Sequence, residues 1–477
     1  MRKLVVAALM ALSALYVAPQ ASAQQAAAPT FSKDVAPILY ANCTTCHRAG
    51  EIAPMSLMTY KEARPWARAI ASKVADGTMP PWHADPKYGS FSTARMLSEL
   101  QKQTIAKWAA AGAPEGNAAD LPVAPVYTDG WNITPDVVLS MQEDYPIPAT
   151  GEVPYQYLEI PANFAEDRYI QAWEIRPGDR QAVHHLLLST RPPQAQVEAQ
   201  MKRQQQMMLQ RMFGKEAAKE RAAAANAAPR PTPPFSFECC VEIPAGQSGG
   251  RPLPPDQRKP LGPNYRPRPT GTGPSMGGYS PGGSIRVFPE GMAMRIPAGH
   301  SLVFQMHYTT YGKATTDRTK IGLVFAKTPP KTVLNTMALI NASLSIPPGA
   351  TNHLVENSMT FNRDTVLYSL VPHTHVRGTG WHYEATYPDG RKEVILSVPK
   401  YDFNWQHEYV FTQPLQLPAG TRIHAKAWYD NSPRNKSNPD PTKQVTWGDQ
   451  TWEEMMYTSI TFSFAPQPST AAPQQQQ

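Results

Sequence analysis

Fifty prolines punctuate this 477-residue chain, about twice the usual ~5% share, and that density limits the accessible folds more than any other feature. Proline removes a backbone donor and fixes φ, so it interrupts helices and is tolerated at strand edges and turns. From residue 131 onward the prolines separate short segments rich in valine, isoleucine, leucine and aromatic residues. These lie at 137–139, 155–160, 169–175, 183–188 and 302–308, then at 355–361, 366–370, 381–387, 391–398, 408–411, 422–429 and 452–462. Their length and partial alternation predict the strands of all-β sandwiches, and Asp389-Gly390 supplies a hairpin turn between two of them.

The N-terminal part reads differently. Residues 31–39, 65–74 and 97–110 predict helices, the first with Ser32 as N-cap and Pro37 as a blemish in its second turn. In the third, Leu97, Leu100, Ile105 and Trp108 fall at roughly helical spacing. Cys43-Thr44-Thr45-Cys46-His47 is C-x-x-C-H, the attachment site of a c-type haem, in which two thioethers fix the porphyrin and the histidine ligates iron. The pattern over residues 28–122 resembles a small class I cytochrome c. That resemblance implies a sixth iron ligand, and Met79 in Gly77-Thr78-Met79-Pro80-Pro81 matches the family's late methionine–proline loop, with Met55 and Met58 as alternatives.

Arg2 and Lys3, an apolar run over 4–17 and Ala21-Ser22-Ala23 describe a secretory signal cleaved near Ala23. The expected location is therefore the periplasm or the exterior, where c-type haems are attached. No later apolar run reaches the ~18 residues of a membrane span. The formal charge of +7 comes from scattered lysines and arginines, a distribution that argues against nucleic-acid binding. Residues 109–126 are rich in alanine and proline and predict a flexible linker, centred on 123–130. Within an insertion at about 195–275, residues 197–225 predict a helix with Met201, Met208 and Met212 on one packing face. The rest of the insertion is proline- and glycine-rich and holds Cys239-Cys240, a vicinal disulfide or two free thiols. Residues 467–477 read as a disordered tail.

Histidines on apolar strands carry the chemistry. His373-Thr374-His375 follows the strand at 366–370, and residues two apart on an extended chain project to the same face. His184-His185 is a doublet in an apolar strand; both rings reach one ion only at a strand end or bulge. His307 stands in a third apolar strand. Imidazoles so placed need partners for their nitrogens, and a shared ion satisfies them. Met455-Met456 stands where a core strand would take valine or leucine, and a thioether among imidazoles makes a soft donor set suited to copper.

His184-His185-Leu186-Leu187, Gln305-Met306-His307-Tyr308, His373-Thr374-His375 and Glu453-Glu454-Met455-Met456 fall in an order and spacing that resembles the copper type II, ascorbate-dependent monooxygenases, the peptidylglycine α-hydroxylating and dopamine β-hydroxylating enzymes. The resemblance covers roughly 135–465 outside the insertion. It implies two jelly-roll-like copper sandwiches, at 131–328 and 331–466. His184, His185 and His307 would hold an electron-storing copper. His373, His375 and Met455 would hold the copper at which a C–H bond of a small organic substrate is hydroxylated with O2. An external donor, ascorbate or a redox protein, would supply electrons through the haem. At positions where the amidating enzyme grips its substrate carboxylate this chain has Val371, Tyr457 and Ser459, so a glycine-extended peptide is not the expected substrate. The other class of function compatible with these residues is a copper and haem electron-transfer protein without catalysis.

Overall fold

The computed structural model describes residues 28–127, 131–213, 241–242 and 266–465, apart from 267, 270, 274, 282 and 284. The signal segment, Cys239, Cys240 and the tail at 467–477 lie outside these residues. The chain is mainly β, with a helical unit at its N-terminal end.

In that unit a short π-helical turn, Phe31–Val35, leads into α1 (Ala36–Asn42), followed by α2 (Tyr60–Ala63), α3 (Ala67–Ala75) and α4 (Glu99–Ala110). The first turn is capped by Thr30, whose hydroxyl accepts from Lys33 N, while Ser32 is buried inside the turn. Pro37 sits in the first turn of α1, where its missing N–H has no intrahelical partner to lose. The second helix starts five residues earlier than expected because Thr59 and Glu62 form a capping box. Ser98 and Gln101 do the same for α4. Phe31, Leu39, Ile70, Ile105 and Trp108 close a separate apolar core, while Leu100 faces solvent. The expected linker is tied down over its first part: Tyr127 shares a hydrogen bond of 2.7 Å with Thr44 and lies under the Arg48 guanidinium.

The next strands are β1 (Val137–Ser140), β2 (Tyr145–Ile147), β3 (Gln156–Ile160), β4 (Arg168–Arg176) and β5 (Val183–Arg191), then helix α5 (Gln194–Phe213). After it come β6 (Val241–Glu242), β7 (Gly277–Tyr279), β8 (Ile285–Val287), β9 (Met292–Ile296), β10 (Ser301–Tyr308), β11 (Thr315–Asp317) and β12 (Lys320–Phe325). The last group is β13 (Thr332–Ile340), β14 (Ser345–Ile346), β15 (His353–Phe361), β16 (Thr365–His373), β17 (Gly378–Thr386), β18 (Lys392–Val398), β19 (Tyr409–Leu417), β20 (Arg422–Tyr429), β21 (Val445–Thr446) and β22 (Tyr457–Phe464). Met455 and Met456 thus precede the final strand instead of opening it.

The two halves share one sheet, ordered β1-β12-β4-β9-β13-β22-β16-β19 with β8 beside β4. Strand β13 makes the transfer: Thr332 to Leu334 pair in parallel with β9, and Asn335 to Ile340 pair antiparallel with β22. A sheet β3-β10-β5-β7 covers the first half, and β18-β17-β20-β15-β6 covers the second. Each pair of layers closes its own core. One is centred on Trp173, Ile175, Leu186, Phe304 and Leu323, the other on Leu370, Trp381, Tyr383, Leu396 and Ile460.

The helical unit is fastened to the second half by the segment after α3. Ala84 joins that half's core, with Trp82 and Phe91 packed against it. Asp85 N donates to Ser397 O, Ser92 N to Val410 O and Thr412 N to Ser90 O, each at 2.8 Å. Phe91 contacts Trp82, Tyr409 and Phe411 at ring-centroid distances of 6.2, 5.5 and 5.2 Å. An aromatic pair contributes about 0.5–1.5 kcal/mol beyond burial, so Phe91→Ala should cost on the order of 2–4 kcal/mol. Urea unfolding would show this as a lower midpoint; an unchanged midpoint would mean that the segment does not hold the units together.

Candidate metal centre

His184 and His185 open β5 opposite the end of β10. The β10–β5 register shifts between His307 and Tyr308, with His307 opposite His185 and Tyr308 opposite Val183, so His184 is the extra residue of a bulge. That irregularity turns neighbouring rings to one side, as the doublet required. Nδ1 of His185 lies 3.0 Å from Nδ1 of His184 and 3.3 Å from Nδ1 of His307. The three ligand atoms lie within 4.8 Å of one another. His184 and His307 both approach His185 through the same ring nitrogen, Nδ1. Three Nδ1 atoms facing inward cannot all carry protons, and a cation is the partner that satisfies all three lone pairs at once. This cluster could hold a metal ion.

His373 ends β16 opposite Tyr457 at the start of β22, which brings the His-x-His turn and Met455 together. His373 Nδ1 lies 2.8 Å from Gln406 Oε1, and His375 Nδ1 lies 3.1 Å from the Glu453 carbonyl. Both partners are acceptors, so each Nδ1 carries the proton and donates, leaving Nε2 with its lone pair. His375 Nε2 is buried with no hydrogen-bond partner, the state of a nitrogen placed for an ion. Glu454 organises the turn. Its Oε2 accepts from His375 N at 2.8 Å and from Met455 N at 3.1 Å, and its Oε1 accepts from Arg377 N at 2.7 Å. Burial still pushes this carboxyl up to about 7. Met456 belongs to the apolar core of the second half, whereas Met455, also buried, lies outside that cluster. The turn also needs Gly378, where a Cβ would stand 1.7 Å from Thr374 Oγ1.

The two sets meet. His185 and His373 have ring centroids 6.4 Å apart. Tyr155 sits between them, 4.8 Å from His307 and 5.7 Å from His375, and Phe403 contacts His184, His185, His307 and His375 at 5.5 to 6.2 Å. Neither aromatic residue carried a sequence signal, since ring packing across distant loops leaves no local pattern. A cavity of about 250 Å³ reaches His185 and His373; Val371, Tyr457, Ser459, Trp173 and Arg95 also border it.

At the C-x-x-C-H motif the chain leaves α1 in a tight turn, with Cys46 N and His47 N both bonded to Cys43 O. The thiols are not joined. Burial pushes Cys43 up to about 12 and raises Cys46, so neither is a thiolate nucleophile. His47 Nδ1 faces the Met55 carbonyl at 3.3 Å and therefore donates, leaving Nε2 with its lone pair. Two thiols and one such imidazole on a single turn fit a covalently attached haem. Met55 stands on the Nδ1 side of His47 and packs into the helical core; Met79 lies in the turn after α3, its N–H on Lys73 O.

No protein-family model matches the chain, and no curated protein matches it.

Burial holds His184 and His373 neutral down to about 4 and His375 down to about 3, and burial with the neighbouring imidazoles also holds His185 and His307 well below the usual range. An unfolded chain protonates its histidines near ~6.5. Stability from the neutral rings is therefore complete above that pH and is lost as pH falls from there toward about 4 and then 3. Metal-free protein should show a urea midpoint that declines through this window, and bound metal should move the decline to lower pH because ligation competes with protonation. A midpoint flat down to about 4 would contradict the burial of these rings.

Proposed function

We propose that this protein is an exported copper-dependent monooxygenase that hydroxylates a C–H bond of a small organic substrate, fed with electrons through a c-type haem on its N-terminal unit. The observation that carries the reading is the convergence of five neutral imidazoles, four buried and His184 half-buried, beside the Met455 turn, with His185 and His373 lining a cavity. His184, His185 and His307 would hold one copper through Nδ1, and His373, His375 and Met455 the other. Cys43 and Cys46 would carry the haem, with His47 and Met79 on its iron. Imidazole with thioether suits copper in both oxidation states, and three ligands from the chain leave an ion coordinatively open. Copper in this setting supplies electrons singly to O2, so that one oxygen atom enters the substrate and the other leaves as water with two electrons and two protons.

The chain's own residues do the rest. Gln406 and the Glu453 carbonyl fix the ring orientation of His373 and His375, and Glu454 holds the backbone beneath them. Val371, Tyr457 and Ser459 border the cavity together with Arg95, Arg286 and Glu408, and the two hydroxyls bond the Ser275 backbone, which leaves an arrangement unlike the carboxylate grip for a glycine-extended peptide. Among the described residues no helix is long and apolar enough to cross a membrane. The external donor would be ascorbate or a redox protein.

Purified protein should contain two coppers and one covalent haem, and under O2 with a donor it should yield a product carrying one atom from labelled O2. Zinc or iron in place of copper would reject the assignment, and full cofactor content without product would make it an electron-transfer protein. Met455→Ile should keep the His184–His185–His307 copper and abolish product. Met456→Ile should stay active and cost under about 1.5 kcal/mol, as volume-conserving core swaps do. The reverse pattern would put the wrong methionine at the site.

A further inference from the structure

A second cavity, of about 700 Å³, lies where the N-terminal unit meets the first half, and none of the residues assigned to copper or haem borders it. Its wall carries five cations, Arg48, Arg176, Arg180, Arg318 and Lys320, against two carboxylates, Glu51 and Glu62. Most of these charges are already engaged. Glu62 serves the Thr59 cap, accepting from Thr59 N at 3.0 Å. Glu51 gives one oxygen to both Arg48 and Arg180. Arg318 is held by Asp144 at 3.4 Å and by the Met141 and Gln142 carbonyls.

Two cations remain, and they face each other. Lys320 on β12 stands directly opposite Arg176 on β4, and opposed residues of an antiparallel ladder share a face, with Cβ atoms about 4.5–5.5 Å apart. Like charges so placed repel. Lys320 makes no ion pair among the described residues, and Glu174 comes no nearer to Arg176 than 3.8 Å. The Glu174 carboxylate is taken up by Asn132 N at 2.7 Å, Asn132 Nδ2 at 2.9 Å and Ile133 N at 3.3 Å. Arg176 Nη1 is therefore buried with no hydrogen-bond partner, while the guanidinium lies over the Trp131 ring at 5.5 Å.

A guanidinium withdrawn from water without an acceptor is costly. A carboxylate set between it and Lys320 would remove that cost and the repulsion together, because it presents two oxygens to the guanidinium fork. The pair does nothing to join the two units, since both residues belong to one sheet of the first half, and Glu51 with Arg180 already makes that joint. The space is in the range of sites for small organic ligands, ~300–1,000 Å³. Arg318 and Lys320 are exposed, so it opens to solvent on that side.

We propose that this cavity binds a small organic acid, its carboxylate held between the Arg176 guanidinium and the Lys320 ammonium and the rest of the molecule in the space beside Arg48 and Tyr127. The site needs neither copper nor haem, so it stands or falls separately from the function proposed above.

The test is calorimetric titration of the full-length protein with succinate, with sodium chloride holding the ionic strength constant. One succinate per chain should bind, its second carboxylate meeting the remaining positive wall. Acetate, which lacks that group, and inorganic phosphate, which fills only the head of the site, should each bind roughly tenfold more weakly. Lys320→Glu sets a carboxylate opposite Arg176 at an exposed position. It should raise the urea midpoint of the ligand-free protein yet weaken succinate by more than an order of magnitude. Arg176→Lys, which keeps the charge and loses the fork, should weaken succinate several-fold. Succinate should also raise the wild-type midpoint, a shift that vanishes in Lys320→Glu. No saturable binding, phosphate bound as tightly as succinate, wild-type affinity in either variant, or a lower midpoint in Lys320→Glu would each overturn the proposal.

Discussion

Strand β13 is the constraint on which the rest depends. Its first three residues complete the ladder of β9 and the remainder complete that of β22, so the two halves are joined by hydrogen-bonded sheet and not by a hinge. Unpairing such a strand would expose several backbone groups at once. With the sheet continuous, the bulge at the start of β5 and the turn after β16 are held at a set separation, and rings from both come within 6.4 Å. A flexible joint in the same place would leave the two ligand sets free to part.

Withdrawing five imidazoles from water, four of them buried and His184 half-buried, is costly unless their nitrogens are satisfied. The second set solves half of the problem internally, with Gln406 and the Glu453 carbonyl taking the Nδ1 protons. The first set has no such arrangement and turns three Nδ1 atoms on one another. The unsatisfied halves of the two sets are thus complementary in chemistry: lone pairs without donors, in a place where protonation is held off by burial. That is the electrostatic description of a cation site, and it explains why these residues are tolerated in an otherwise apolar interior.

The N-terminal helices are part of the same construction. They have a core of their own, yet the segment after α3 runs along β19 and contributes Ala84 and Trp82 to the second half. Glu51, four residues past His47, pairs with both Arg48 and Arg180 and so ties the unit to the first half as well. The cavity at the histidines is consequently bordered by residues from all three parts, Arg95, Trp173 and Tyr457 among them.

Much of this was legible in the residues. Short alternating runs between prolines located the strands because side-chain direction on a strand is a local property, and the spacing in His373-Thr374-His375 marked two imidazoles on one face for the same reason, whereas the His184-His185 doublet needed the bulge at His184 to turn both rings to one side. The first helix begins at Phe31 as its spacing predicts but is capped by Thr30 instead of Ser32, and the second begins at Tyr60, five residues before the predicted start, because Thr59 supplies a cap that apolar spacing does not reveal. What only the tertiary structure decided is what long-range pairing decides. The transfer of β13 between sheets, Tyr155 and Phe403 between the ligand sets, Glu454 under the His-x-His turn, and His407 against Trp82 all join residues far apart in the chain. Sequence spacing determined which side chains share a face; the register of distant strands determined which faces meet, because that register is set by the summed packing of two cores and by no single segment.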